Sequence, residues 1–77
     1  MNWQEFIEQK PDVMVGKPCI KGTRLTVEFI LERLSLGWSH AELIDSFPGL
    51  TEEQIRACAG YAAASLRLEE STFTASA

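Results

Sequence analysis

The pattern of hydrophobic and polar positions divides the chain into a front segment of short runs and a longer part with helical periodicity. From residue 27 onward, apolar residues recur at intervals of three and four, which places them on one face of a helix. The repeating positions are Val27, Ile30, Leu31 and Leu34, then Leu43 and Ile44, then Ile55, Cys58, Ala59 and Ala62. We therefore predict that residues 27–68 form a trihelical unit.

Hydroxyl side chains stand where each predicted helix begins. Thr26 precedes the first helix, Ser39 opens a capping box before the second, and Thr51 precedes the third. Gly37 follows the first helix as a C-terminal cap residue should, and residues 47–49, Phe-Pro-Gly, stop the second. These signals predict turns of four or five residues between the helices.

The second and third predicted helices have the order of a helix-turn-helix motif: a short helix, a turn with glycine and a longer helix. In such a motif the first side chains of the third helix meet the major groove, so Thr51 and Arg56 are candidate DNA contacts. Glu52 and Glu53 lie between them, and phosphate repels carboxylates. Because any trihelical packing unit can satisfy the same spacing, that alternative stays open.

The front of the chain predicts a short helix and then a small β element. Trp3, Phe6 and Ile7 follow helical spacing, which predicts an amphipathic N-terminal helix over residues 1–10. Residues 13–27 contain short β-rich runs broken by glycine and proline, which predicts a β-hairpin element. The fold class that we expect is mainly α, a trihelical helix-turn-helix preceded by a short helix and a hairpin.

The length of 77 residues predicts one domain, residues 1–68, with a flexible tail of small and polar residues over 69–77. A domain of this size buries only about 60 % of its unfolded surface, so we expect a homodimer. Trp3, Phe6 and Ile7 are the candidate dimer or partner contacts. The alternative is that this stripe covers the chain's own core.

The net charge of −4 is unevenly distributed. Residues 10–24 hold four basic residues and one acid, a net charge of +3, whereas residues 25–77 have a net charge of −5. Glycine backbone N–H groups beside these cations can also approach an anion. The remaining candidate DNA contacts are Lys17, Lys21 and Arg24. The alternative is that Arg24 pairs with an acid such as Glu28 and that the lysines are solvated.

The reactive side chains form no catalytic or metal-binding pattern. Cys19 and Cys58 have no Cys-x-x-Cys spacing, and His40 is the single histidine. We therefore expect no enzyme activity, no metal, no cofactor and no small-molecule substrate. No apolar run approaches the roughly 20 residues that span a membrane, and the N-terminus lacks the basic start of a signal peptide. A cytoplasmic protein without membrane contact is expected.

The chain resembles the small bacterial and archaeal proteins called domain of unknown function 433. The resemblance covers about residues 12–63. It is carried by Val15-Gly-Lys-Pro-Cys-Ile-Lys-Gly-Thr-Arg-Leu-Thr-Val27, by Ile30-Leu-Glu-Arg-Leu-Ser-Leu-Gly37, by Phe47-Pro-Gly-Leu-Thr-Glu-Glu-Gln-Ile55 and by Tyr61-Ala62.

This resemblance implies a homeodomain-like trihelical fold behind a small β element, often dimeric. It also implies an antitoxin that represses its own promoter through the helix-turn-helix and neutralises a PIN-like ribonuclease toxin. The chain differs from the family pattern in its added front helix and its short tail. The other hypothesis, from a different class, is a protein-interaction adaptor that binds no nucleic acid, which the net acidity favours.

Overall fold

Three helices and a two-stranded antiparallel sheet make up residues 1–70, the part of the chain that the computed structural model describes, with side chains through residue 68. The helices are α1 (Val27–Ser35), α2 (His40–Ser46) and α3 (Glu52–Glu70), and the strands are β1 (Ile7–Glu8) and β2 (Cys19–Ile20). The predicted mainly α fold with three helices is confirmed. Because α3 continues to Glu70, the first two residues of the predicted tail are helical, and residues 71–77 lie outside the described residues.

The first two helices begin at the predicted caps. The Thr26 hydroxyl accepts a hydrogen bond from the Phe29 N–H at 2.9 Å. Ser39 and Glu42 form the predicted capping box, with the Glu42 N–H donating to the Ser39 hydroxyl at 3.0 Å and the Ser39 N–H donating to the Glu42 carboxylate at 2.8 Å. These bonds satisfy backbone donors that a helix start leaves free.

Glycines with positive φ lie in the turns that follow the first and second helices. Gly37 has φ +96° and Gly49 has φ +92°, in the region of backbone space that favours glycine. Gly37 donates its N–H to the Leu34 carbonyl at 3.0 Å, which closes the last turn of α1. The Gly49 turn reverses the chain, so that α3 can pack against α1 and α2.

The prediction of a helix over residues 1–10 was wrong. A single 3-10 turn covers Trp3–Glu5, and the chain then becomes strand β1. In the antiparallel pairing Ile7 lies opposite Ile20, and the Lys21 N–H donates to the Phe6 carbonyl at 2.8 Å. A helix of ten residues is marginal by itself, so hydrogen bonding to a distant strand determines the conformation instead.

The hairpin predicted within residues 13–27 is also only partly formed. β2 pairs with β1, which lies outside that range, and inside it the only pairing is an isolated bridge between Cys19 and Thr26. The Ile20 N–H donates to the Leu25 carbonyl at 2.9 Å across this bridge. At the start of the predicted element the chain forms no strand but a 3-10 turn, Met14–Gly16, whose residues have positive φ.

The core lies where the sheet and all three helices meet. Ile20, Ile30, Leu43 and Ile55 are its fully buried large side chains, with at most 1% exposure. Residues from β1, β2, α1, α2 and α3 therefore share one hydrophobic cluster. Since every element contributes to it, the position of the front segment depends on the helices.

Candidate nucleic-acid and partner interface

A tight turn over residues 21–24 joins β2 to α1 and carries two of the predicted DNA contacts, both exposed. The Thr23 N–H donates to the Ile20 carbonyl at 3.0 Å, and the Thr23 hydroxyl donates to the same carbonyl at 2.9 Å. This hydroxyl also accepts from the Leu25 N–H at 3.0 Å. The three bonds hold the backbone that carries Lys21 and Arg24.

The four basic residues of the front segment differ in their surroundings. Lys17 Nζ lies 3.0 Å from Glu28 Oε1, so the acid considered as a partner for Arg24 pairs with Lys17 instead. Lys10 Nζ lies 3.8 Å from a Glu8 oxygen. Lys21 and Arg24 form no ion pair with any described side chain. The positive charge available to an anion is therefore concentrated on these two residues of the turn.

A pocket of about 330 Å³ lies beside the turn. Its lining comprises Glu8, Lys10, Val13, Gly22, Thr23 and Arg24. The Gly22 N–H donates to Glu8 Oε2 at 3.3 Å, and the Gly16 N–H donates to the Val13 carbonyl at 3.0 Å. The two glycine N–H groups expected to approach an anion are therefore already hydrogen-bonded within the protein. Only the basic side chains remain to attract an anion.

The start of α3 uses Thr51 as a cap. The Gln54 N–H donates to the Thr51 hydroxyl at 3.2 Å, and the Thr51 N–H donates to the Gln54 side-chain oxygen at 2.9 Å. This second capping box, which the sequence analysis did not identify, occupies the Thr51 hydroxyl. Arg56, one turn further along, is exposed and forms no ion pair with the described side chains. No hydrogen bond or ion pair joins residues 21–24 to either predicted contact of α3 within the described part of the chain.

One of the two acids at the start of α3 has a partner. The Glu52 carboxylate is hydrogen-bonded to His40 Nδ1 at the first turn of α2. Both side chains are somewhat more than 40% exposed, so solvent screens the pair. Glu53 remains exposed. Of the two carboxylates at this helix start, that of Glu52 is therefore hydrogen-bonded and that of Glu53 is solvated.

The stripe of Trp3, Phe6 and Ile7 packs against the chain's own core. Ile7 is only 6% exposed and cannot contact a partner in this fold. The Trp3 and Tyr61 rings meet edge to face, with centroids 5.0 Å apart. A Cβ atom added at Gly60 would lie 3.4 Å from the Trp3 Cβ atom, so the front segment lies directly on α3. Phe6 is half-buried and packs on the same cluster.

An open apolar groove of about 560 Å³ lies between α1 and α3. Its lining comprises Pro18, Val27, Glu28, Leu31, Glu32, Tyr61, Ala62, Ser65 and Leu66. The sequence analysis did not identify this surface. The sequence does show the two helix faces, because each helix contributes residues at i, i+1, i+4 and i+5, which share one helical face. The local pattern does not show that these two faces lie beside each other.

The thiols are buried and free. Burial raises the pKa of the Cys58 thiol to about 11, and burial with the nearby Glu8 charge raises that of Cys19. A thiol with such a pKa is protonated at neutral pH and is a poor nucleophile. No group of three or more metal-ligating side chains occurs among the residues that the structure describes. Within that same part of the chain, no helix has the length and apolarity required to cross a membrane.

A family model and a solved structure place the chain beside the same family. The model of the family "Protein of unknown function (DUF433)" matches residues 7–62. The uncharacterized protein y4eO of Sinorhizobium fredii is 31% identical over 61 residues, which are 79% of this chain and 28% of y4eO. This chain therefore spans less than a third of that relative's length.

A crystal structure of a DUF433 member from Anabaena variabilis is similar in fold, with a TM-score of 0.78 at 27% identity. The similarity covers 92% of this chain and 70% of that one. The family match includes both strands and the first part of α3, so the sheet and the helices described above lie within it. The chain belongs to the DUF433 family of proteins of unknown function.

Proposed function

We propose that this chain is a non-catalytic, dimeric, DNA-binding regulator of the antitoxin type. The observation that carries the proposal is the pair of cations on the turn between β2 and α1. Lys21 and Arg24 are exposed and form no ion pair with a described side chain, on a backbone held by three hydrogen bonds. Cations held in this way can bind phosphate groups without giving up an existing ion pair.

The start of α3 adds a second, weaker argument. Arg56 is exposed one turn after the cap, where a recognition helix presents side chains to base edges. The Glu52 carboxylate beside it is hydrogen-bonded to His40, so one of the two acids at this helix start already has a partner within the protein. Glu53 still opposes binding at this end. We therefore assign most of the affinity to phosphate binding by the turn.

The antitoxin part of the proposal comes from the family resemblance, which implies a PIN-like ribonuclease toxin as protein partner. The test is coexpression with the product of the adjacent reading frame. A stable complex that suppresses ribonuclease activity would support this part. An adjacent frame that encodes no nuclease, or a nuclease that stays active beside this chain, would count against it.

A protein-interaction adaptor without nucleic-acid binding is the second candidate. Two observations favour it: the net charge of −5 over residues 25–77 and the open apolar groove between α1 and α3. Apolar grooves of this kind accept amphipathic helices. This candidate predicts no DNA binding at any salt concentration.

The experiment that separates the two candidates is binding to the chain's own promoter over a salt series. The double variant Lys21→Ala, Arg24→Ala should weaken binding and reduce the salt slope by about 0.9 for each phosphate that is no longer neutralised. Lys17→Ala is the matched control, because Lys17 is already paired with Glu28 and its removal should change the slope little. Arg56→Ala should leave the slope nearly intact and relax preference at one base pair by about 1–3 kcal/mol.

Wild-type binding and slope in the double variant would contradict the assignment of phosphate binding to the turn. Absence of binding by the wild-type chain at low salt would contradict the DNA-binding function itself and leave the adaptor.

A further inference from the structure

We propose that the groove between α1 and α3 binds an amphipathic helix of a partner protein, with lysine or arginine beside its apolar stripe on the flank that faces α1. The inference rests on the proposed function only in that both candidate functions require a protein partner. It assigns that partner a surface and a chemistry. The groove shares no lining residue with the turn over residues 21–24.

The lining of the groove is mostly apolar and partly open to solvent. Leu66 is 56% exposed, and Leu31 and Tyr61 are half-buried. Covering these side chains removes apolar surface from water, which stabilises a complex in proportion to the area covered. The part of the partner that enters the groove is therefore apolar.

The groove offers few hydrogen-bonding groups to the backbone of an occupant. Its walls are helices, whose backbone groups bond mainly within the helix. The Pro18 carbonyl accepts from the Val27 N–H at 2.9 Å, and the Ser65 hydroxyl donates to the Tyr61 carbonyl at 3.0 Å. An extended segment would leave backbone groups unpaired in the groove, whereas a helix pairs its own. A helix is therefore the occupant that the groove favours.

Charge complementarity selects the sign of the partner's flank. Glu28 and Glu32 lie one turn apart on α1 and are exposed, whereas the lining residues that α3 contributes are uncharged. No lysine or arginine occurs among the described side chains that line the groove. Opposite charges across an interface favour the correct partner, and like charges disfavour a wrong one. The acids are on one wall, so the partner needs cations on one flank.

The two acids differ in their availability. Glu28 Oε1 lies 3.0 Å from Lys17 Nζ, and both side chains are more than half exposed, so this ion pair is screened by solvent. Glu32 forms no ion pair with a described side chain. A cation of the partner can therefore pair with Glu32 without displacing another cation, which makes Glu32 the main determinant of the preference for a basic helix.

The first test uses synthetic helical peptides as probes. All have leucines at i, i+3, i+4 and i+7; one has two arginines one turn apart beside the leucines, and a second has glutamates in the same places. By calorimetric titration, the wild-type chain should bind the arginine peptide about tenfold more tightly than the glutamate peptide. A third peptide with the arginines on the face opposite the leucines has the same net charge as the first and should bind more weakly.

The second test locates the contact on the protein. Glu32→Lys should weaken binding of the arginine peptide by about tenfold and strengthen binding of the glutamate peptide. Glu53→Lys makes the same change in net charge at an exposed acid outside the groove, so it is the matched control and should leave both affinities unchanged. Leu66→Asp should weaken binding of both peptides, whereas Leu36→Asp, at an exposed position outside the groove, should not.

Three results would overturn the proposal: no binding of the arginine peptide by wild type, equal affinity for the arginine and glutamate peptides, or equal effects of Glu32→Lys and Glu53→Lys. If wild type binds no peptide and Leu66→Asp lowers the mass measured by light scattering, a second copy of the chain covers the groove instead, and the proposal is likewise overturned.

These outcomes are separate from the proposed DNA binding. A chain that binds the arginine peptide but not its own promoter loses the regulator function, and this inference stands. A chain that binds its promoter but not the arginine peptide loses the inference, and the regulator stands.

Discussion

His40 Nδ1 is hydrogen-bonded to the Glu52 carboxylate, which connects the first turn of α2 to the first turn of α3 across the helix-turn-helix connection. Both residues lie at helix starts, where the helix dipole stabilises a carboxylate. The bond holds the two helix starts together.

A double-mutant cycle on this pair should show a coupling energy. His40→Ala and Glu52→Ala, alone and combined, should give a coupling of about 0.3–1 kcal/mol in denaturant unfolding, because both side chains are largely solvated. The pair Asp45→Ala and Glu53→Ala, two exposed acids, provides the control cycle and should give none. A coupling near zero for His40 and Glu52 would show that the bond contributes nothing in solution.

The capping box of α2 should make stability depend on acid pH. The Ser39 backbone N–H and hydroxyl hydrogen bonds lower the pKa of Glu42 below 4.5. A lowered folded-state pKa contributes stability above about pH 4.5, and this contribution disappears as the pH falls through the folded-state value. Glu42→Gln retains a side-chain acceptor but does not titrate, so the decrease in stability between pH 5 and about pH 3 should be smaller in this variant than in the wild type.

The control is Glu53→Gln, which removes an exposed acid that caps no helix. Unfolding in urea at the two pH values measures the difference. If Glu42→Gln and the wild type lost the same free energy of unfolding between the two pH values, the capping box would not contribute to the pH dependence of stability.

Gly60 should be replaceable by alanine with a gain in stability. It lies inside α3, where glycine is about 1 kcal/mol less favourable than alanine. The added Cβ would lie 3.4 Å from Met1 Cγ and from Trp3 Cβ, which is ordinary van der Waals contact. Gly60→Ala should therefore raise the free energy of unfolding by about 0.5–1 kcal/mol.

A longer side chain at the same position should have the opposite effect. Gly60→Leu places a branched side chain where Met1 and Trp3 already lie, and these residues must move away from α3. We expect lower thermal stability and a shift of tryptophan emission toward that of exposed indole. Destabilisation by Gly60→Ala would show that the front segment packs more tightly on α3 than these distances indicate.

Val15 should be a site of backbone strain. Its φ of +57° is in the left-handed region that β-branched residues avoid, and its side chain is 94% exposed. Val15→Asn should stabilise the protein by about 0.5–1 kcal/mol, because asparagine adopts this conformation more readily and the exposed valine contributes little packing. Val15→Ile, which keeps the branched Cβ, is the control and should be neutral. Equal melting temperatures for Val15→Asn and the wild type would contradict the strain.

The sequence by itself determined the helical part of the fold, because its signals are local. Thr26, Ser39 and Thr51 cap the helices as predicted, since a side-chain oxygen needs only the N–H groups two or three residues further on. The Phe-Pro-Gly sequence at residues 47–49 follows α2 as predicted, and Gly49 there has a φ of +92°. A capping bond does not depend on what packs around it.

The tertiary structure decided the front segment. Trp3, Phe6 and Ile7 have the spacing of a helix, but a helix this short is weak by itself. The chain forms strand β1 instead, because Ile7 pairs with Ile20 and packs in the hydrophobic cluster to which all three helices contribute. The partner strand is separated from β1 by residues 9–18, so its contribution was not present in the local pattern.

The candidate interfaces also depended on the fold. The sequence showed that residues 10–24 are basic, but Lys17 pairs with Glu28 because the chain brings that residue to the first turn of α1. The groove exists only where α1 lies beside α3, two helices that the whole of α2 separates in the sequence. Charge and apolarity are properties of residues, whereas the availability of a cation and the shape of a groove arise from packing between distant parts of the chain.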